Sequence, residues 1–232
     1  MYAIPAACLV ALRQLLQPED ILDAATLAGL TPGWHPQNFG AGLAVRPRQV
    51  AEVAAILKLC NQHRVPVVTH GGRTGLVDGG VSRPGEIVLM TERLDRIVDI
   101  DPVSMTATVE AGVTLQALQT AAAPHRLSPG IDLGARGSCT IGGMISTNAG
   151  GIEAFRNGVM RQRILGLEAV TADGQVMSDL TRVTKATVGV DLKQLFIGSE
   201  GILGVVTRAV VRLAPMPRFR LTTLVASPSA AA

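Results

Sequence analysis

Glycine placement constrains this chain more than any other feature. Five glycines fall within Thr69 to Gly80, directly behind the apolar, β-branched run Val65 to Thr69, and six more fall within Gly134 to Gly151. A strand that opens into such a loop lets successive backbone N–H groups converge on one concavity, because glycine takes positive φ without steric cost, and a nest of that kind holds anionic oxygens. Two familiar phosphate loops are excluded. No Gly-Lys-Ser/Thr closes the first zone, G-x-G-x-x-G is absent from it, and Arg83-Pro84-Gly85 and a strand follow where both motifs need a helix. A plain surface hairpin is the competing account. The second zone carries almost no charge and is too apolar for a solvated loop. Its backbone groups must be satisfied, either by backbone packed on backbone or by a large, flat, hydrogen-bonding ligand.

The rest of the composition sets the setting for these loops. With 232 residues, 47% apolar and 17% charged, the chain can bury a substantial core as one large domain or two small ones. The apolar run Ala6 to Leu12 meets Arg13 long before the roughly 18 residues a membrane span needs, and no secretory-signal pattern surrounds it. Cys8, Cys60 and Cys139 are odd in number and far apart, which fits neither a disulfide framework nor a C-x-x-C metal site, so no metal is expected and a reducing cytoplasm is. The net charge of +3 comes from arginine, since only Lys58, Lys185 and Lys193 are lysines. With 3% aromatic residues and no adjacent basic pair, nucleic acid is an unsuitable partner. A small anionic ligand suits the balance better.

Periodicity gives the order of elements. Ala6 to Leu27 reads as helix broken by Pro18, and Pro32 to Gly42 as a loop around Trp34, itself read as a core anchor. Gln49 to His63 is an amphipathic helix whose last residue reads as solvated. Strands are expected at Val65 to Thr69, Ile87 to Met90, Ile97 to Ile100 and Met105 to Val109, then a short helix capped by Thr114. Asp173-Gly174 turns a hairpin between Ile164 to Thr171 and Gln175 to Met177. A short helix at Asp191 to Ile197 and a strand at Gly204 to Leu213 follow. Phe219, Leu221, Leu224 and Val225 form a strand-like run before the Ala/Ser/Pro-rich end, Ala226 to Ala232. Clustered strands favour α+β over an alternating parallel sheet. Two subdomains, 1–90 and 91–215, are expected to clasp the ligand, with 216–232 a linker. Two glycine zones in one domain imply a ligand with a phosphate part and an extended part, and FAD is the natural candidate.

Val67 to Gly80, Gly134 to Gly151 and Asp191 to Thr207, in that order and spacing, resemble the PCMH-type FAD-binding domain of the vanillyl-alcohol oxidase type FAD-linked oxidases. Within that family the D-2-hydroxyacid dehydrogenase branch is most similar: D-lactate dehydrogenase, the glycolate oxidase D subunit and D-2-hydroxyglutarate dehydrogenase. The resemblance implies that His70, Gly71, Gly72, Arg73, Thr74 and Gly75, with Leu76, wrap the FAD pyrophosphate, Thr74 through its side chain. Pro129, Ser138, Cys139, Thr140, Gly142, Gly143, Ser146 and Asn148 would line the pyrophosphate and flavin, and Glu200, Gly201 and Val206 the ribose and adenine side. Covalent relatives carry a histidine where this chain has Arg73, so FAD is expected to be non-covalent. His70 lies three residues earlier and reads equally well as an exposed loop histidine. Met144, the stretch Thr187-Val188-Gly189-Val190, and Asn157 depart from the family's pattern and remove polar contacts near the flavin.

Oxidation of a small 2-hydroxy acid also needs a base and cationic carboxylate contacts, and no such constellation stands out among His35, His63, His70 and His125. The resemblance implies that the base, the substrate arginines and any metal-binding histidines belong to a C-terminal domain starting after Met216-Pro217-Arg218. The catalytic residues and the electron acceptor are therefore not assigned from this sequence, which reads as an isolated half. A flavin-binding module without turnover is the alternative function. The apolar tail is an edge that would pair with something, so self-association into a homo-oligomer is expected.

Overall fold

The computed structural model describes residues 3–219, 221–224, 226 and 229. Helix α1 (Ala6–Leu15) stops ahead of Pro18, and a 3-10 turn, Pro18–Asp20, leads into strand β1 (Ile21–Asp23) where continued helix was expected. Proline ends the helix, and Asp20, 1% exposed, then ion-pairs with Arg48 Nε at 2.7 Å and Arg93 Nε at 3.0 Å, pinning the segment at a sheet edge. Asp23 caps α2 (Ala24–Ala28) by accepting the Thr26 N–H at 2.8 Å. Strand β2 (Leu43–Val45) runs through α3 (Val50–Gln62) to β3 (Val67–His70), and β4 (Ile87–Met90) inserts between β2 and β3. The sheet order is β1-β2-β4-β3, with β2, β4 and β3 parallel and β1 antiparallel. This half is thus more alternating than the clustering of strands suggested, because β2, α3 and β3 form one βαβ unit. Helix α3 buries Val53, Ile56, Leu57 and Cys60 against Cys8 and Leu12 of α1 and against Val45, Ile87 and Leu89.

The second sheet is antiparallel throughout. Strands β5 (Ile97–Asp101) and β6 (Thr106–Glu110) precede α4 (Leu115–Ala122), whose cap Thr114 accepts the Ala117 N–H at 3.1 Å. Then come β7 (Leu127–Ser128), α5 (Ile141–Ser146), α6 (Ala154–Asn157), α7 (Met160–Arg163), β8 (Ile164–Val170) and β9 (Val176–Asp179). Helix α8 (Lys193–Phe196), β10 (Val205–Arg212) and β11 (Ala214–Pro215) are the last elements among the described residues. The order is β5-β6-β10-β8-β9, while β11 pairs with β7. The β8–β9 turn closes at Asp173-Gly174 with Thr171 N–H on Gln175 O at 3.0 Å. Val170 and Val205 pack into the core of the first half, so the two sheets share apolar contacts.

Two further expectations are corrected. Trp34 is 68% exposed, not a core anchor, because its backbone is the part that packs: Trp34 N–H donates to Arg73 O at 3.0 Å. His63 is the C-cap just past α3 and is partly exposed. Phe219, Leu221 and Leu224 form no strand and are exposed, and Val225 lies outside the described residues. All three cysteines are free and buried, and burial pushes the Cys60 thiol up to about 12, so they serve as apolar filling. Among the described residues no helix is long and apolar enough to cross a membrane.

Candidate functional site

His70 ends β3 and is 2% exposed. Its Nε2 lies 2.7 Å from the carbonyl oxygen of Gly80, and its ring centroid is 5.8 Å from that of Phe39. Burial, with the Arg73 charge adding to it, pushes the imidazole down to about 4, despite the opposing Gly80 bond. The ring is therefore neutral at ordinary pH, and Nε2–H donates to Gly80. The exposed-loop reading of His70 is wrong: the side chain closes the loop it begins.

The glycines of this loop act by size rather than by positive φ. None of them is at positive φ, whereas Arg73 is, at φ 54. A Cβ on Gly72 would stand 1.9 Å from the carbonyl oxygen of Ser138, and one on Gly71 would stand 2.4 Å from Thr140 Oγ1. The first glycine zone thus packs directly on the second. The two zones differ in how their backbones are satisfied. In the second, Cys139 N–H donates to Ala135 O, Ile141 N–H to Val113 O and Gly142 N–H to Ala111 O, each at 2.8 Å. There, backbone packed on backbone prevails over a ligand as the partner. In the first, the N–H groups from Gly71 to Leu76 donate to no described residue.

Between these zones lies a cavity of about 470 Å³. Its wall includes His70, Gly71, Gly72, Arg73, Thr74, Gly75, Leu76, Cys139, Thr140, Gly142, Gly143, Ser146, Glu200, Gly201 and Val206. The third stretch reaches it by docking on α5: Gly198 N–H donates to Ile145 O at 3.0 Å and Glu200 N–H to Ser146 O at 2.8 Å. Ser138 lines instead an adjoining cleft of about 880 Å³ that shares Gly71 to Thr74, Leu76 and Thr140 with the cavity. Pro129 is buried outside both walls. Asn148 also lies outside, its Oδ1 accepting the Arg161 N–H at 3.0 Å, a local structural bond. Asn38, Thr69, Thr91 and Leu133 line the cavity without having been singled out in the sequence. Met144, a departure from the family pattern, is in the wall, 3% exposed, with its sulfur 3.8 Å from that of Cys139.

Among the described lining residues of the cavity, the charged side chains are Arg73 and Glu200. Arg73 lines the cleft too. Its guanidinium carbon sits 5.3 Å from the Phe39 ring centroid, Nη1 is 3.8 Å from Glu92 Oε2, and Nε is buried without a hydrogen bond. A cation beside a run of unclaimed N–H groups fits a diphosphate, and Leu133, Met144 and Val206 supply apolar wall for a ring. The residues fit FAD. No group of three His, Cys, Asp or Glu among the described residues is placed to hold a metal ion.

The model of the FAD binding domain family matches residues 41–179. The D-2-hydroxyglutarate dehydrogenase of Xanthomonas citri pv. viticola is 42% identical over 86% of this chain and 42% of its own length. The mitochondrial D-2-hydroxyglutarate dehydrogenase of Bos taurus is 40% identical over 90% of this chain and 39% of its own. The chain thus spans about two fifths of the length of these curated relatives. An alkyldihydroxyacetonephosphate synthase structure superposes with a TM-score of 0.81 at 20% identity, covering 94% of this chain and 42% of that one, and so shares the α+β, PCMH-type fold. The chain belongs to the FAD binding domain family, and its cofactor is FAD.

Proposed function

We propose that this chain is the cofactor half of a flavin dehydrogenase that oxidises a D-2-hydroxy acid, with D-2-hydroxyglutarate the first candidate and D-lactate or glycolate behind it. One observation carries the reading: Gly71 to Thr74, with Leu76, form a shared wall between a cavity and an adjoining cleft, so a cofactor laid along it has room to bury one end and present the other. The names and identity of the relatives supply the substrate class. Bound FAD supplies the two-electron acceptor for hydride from the carbon bearing the hydroxyl. The chain's own residues hold and shield it. The N–H run and Arg73 balance the diphosphate, and Trp34 and Phe39 of the preceding loop pack on Arg73 and His70 at its start.

Among the described residues of the cavity, Glu200 is exposed and His70 is committed to another bond. His70 is neutral and already donates to Gly80. We place the base for the substrate hydroxyl and the carboxylate-binding cations outside residues 1–232, with the subdomain boundary near Met90, a linker from 216, the cytoplasm as compartment and self-association as a property of the chain. The complete polypeptide, assayed with D-2-hydroxyglutarate, D-lactate, glycolate and D-malate and an artificial electron acceptor, is expected to bleach its flavin fastest with one of the D-acids. Flavin that none of the four reduces would favour a binding module without turnover.

A further inference from the structure

The loop from Pro32 to Gly42, marked in the sequence only by its prolines and glycines, is fastened across the first glycine loop. Ser82 N–H donates to Gln37 O at 3.2 Å, and Ser82 Oγ donates to Asn38 O at 2.7 Å while accepting Ala41 N–H at 3.0 Å. Asn38 sits in the middle of this seam, 4% exposed and in the cavity wall. Its Nδ2 donates to Pro32 O at 2.8 Å. Because a carbonyl only accepts, that bond decides which end of the amide is which. The end left over is Oδ1, and it accepts no hydrogen bond from any described residue.

The surroundings keep this acceptor clear. A Cβ on Gly80 would stand 3.0 Å from Oδ1, so only glycine leaves the space in front of it open. On the neighbouring glycine, a Cβ at Gly79 would stand 3.5 Å from Glu200 Oε2. Asn38 and Glu200 therefore flank one Gly79-Gly80 pair in the same wall. Asn38 is buried as a residue and lines the cavity, and its oriented Oδ1 takes no protein donor, so a ligand that brings a donor to it gains a hydrogen bond. The flavin ring must stay within reach of a second reactant, so the part of FAD that meets a deeply buried wall group is the adenosine half.

We propose that Asn38 Oδ1 accepts a hydrogen bond from the 6-amino group of the FAD adenine and is the residue that selects an adenine dinucleotide. The inference is independent of which acid the protein oxidises. The protein stripped of flavin is titrated, by flavin fluorescence, with FAD and with its deaminated analogue, in which hypoxanthine presents a carbonyl at that position. FAD is expected to bind about 5- to 100-fold more tightly than the analogue, the range of a buried hydrogen bond made or lost. Asn38→Leu, similar in size and without an acceptor, brings the ratio of the two dissociation constants close to one. A purely structural role would weaken both ligands alike and leave the ratio unchanged. Gly80→Ala, which keeps the Asn38–Pro32 bond but puts a methyl in front of Oδ1, lowers the ratio as well. Thermal melts identify a variant that does not fold, and the wild-type and Gly80→Ala ratios then decide alone. A wild-type ratio near one, or a ratio kept in the folded variants, overturns the proposal.

Discussion

The Nε2 of His70 lies 2.7 Å from the carbonyl oxygen of Gly80, so the last residue of β3 ties down the far end of the glycine loop. This bond requires a neutral ring buried in place. Desolvation holds the folded-state imidazole near 4, below the value of about 6.5 for an unfolded chain. A depressed value means that the folded state disfavours the proton. The stabilisation is complete above about pH 6.5 and is lost as pH falls towards 4. We expect urea stability to drop across that window by up to about 3 kcal/mol from this group, and His70→Gln to remove that part of the acid sensitivity. Equal pH slopes for the two proteins would show that His70 is not the titrating latch.

Gly72→Ala should unfold or severely destabilise the protein, because the added methyl would meet Ser138 O at 1.9 Å and that neighbour is backbone, which cannot swing aside. Overpacking of this kind typically costs about 1 to 3 kcal/mol. Gly75→Ala is the contrast, since no atom lies within 4 Å of its Cβ position. We expect it to melt like the wild type yet bind FAD more weakly, because the space is the ligand's. Normal FAD affinity in Gly75→Ala would move the diphosphate away from this turn.

Much of this was legible in the sequence, and the failures have physical causes. The amphipathic period of α3 and the Asp173-Gly174 turn are local signals, and both elements appear where the pattern puts them. The three stretches that meet at the cavity were recognisable as a set, although the meeting itself is tertiary. β1 was lost to helix because Asp20 is fixed by Arg48 and Arg93, partners distant in sequence. Asn38 was missed for the same reason: its role comes from contacts with Gly80 and Ser82, and no short motif announces it. The glycines were rightly singled out but for the wrong reason, since close approach at Gly71 and Gly72 governs them rather than positive φ.

Arg73 bears on how the flavin is held. A guanidinium does not form the bond that a histidine makes in covalent relatives, and Phe39 and Glu92 already engage this one. Acid precipitation of the yellow protein should therefore release all of the flavin into the supernatant. Arg73→Met should weaken FAD about 10- to 100-fold, the scale of a charge-assisted hydrogen bond, and flatten the salt dependence of binding. Flavin retained by the pellet would mean a covalent link elsewhere in the chain.

The 232-residue chain alone should bind FAD and yet turn over no D-2-hydroxy acid. Turnover needs the substrate held over the flavin with a base within hydrogen-bond reach. The cavity offers a neutral, occupied His70, an Arg73 tied to Phe39 and Glu92, and an exposed Glu200 that flanks Gly79. We expect none of these to serve as the base. Beyond β11, Phe219, Leu221 and Leu224 are 85%, 85% and 100% exposed, apolar surface that a longer polypeptide would cover. Light scattering should accordingly find the isolated chain self-associating, and joining it to a C-terminal domain should raise its melting temperature. A steady-state rate with D-2-hydroxyglutarate or D-lactate comparable to that of the complete polypeptide would place the base within residues 1–232 after all.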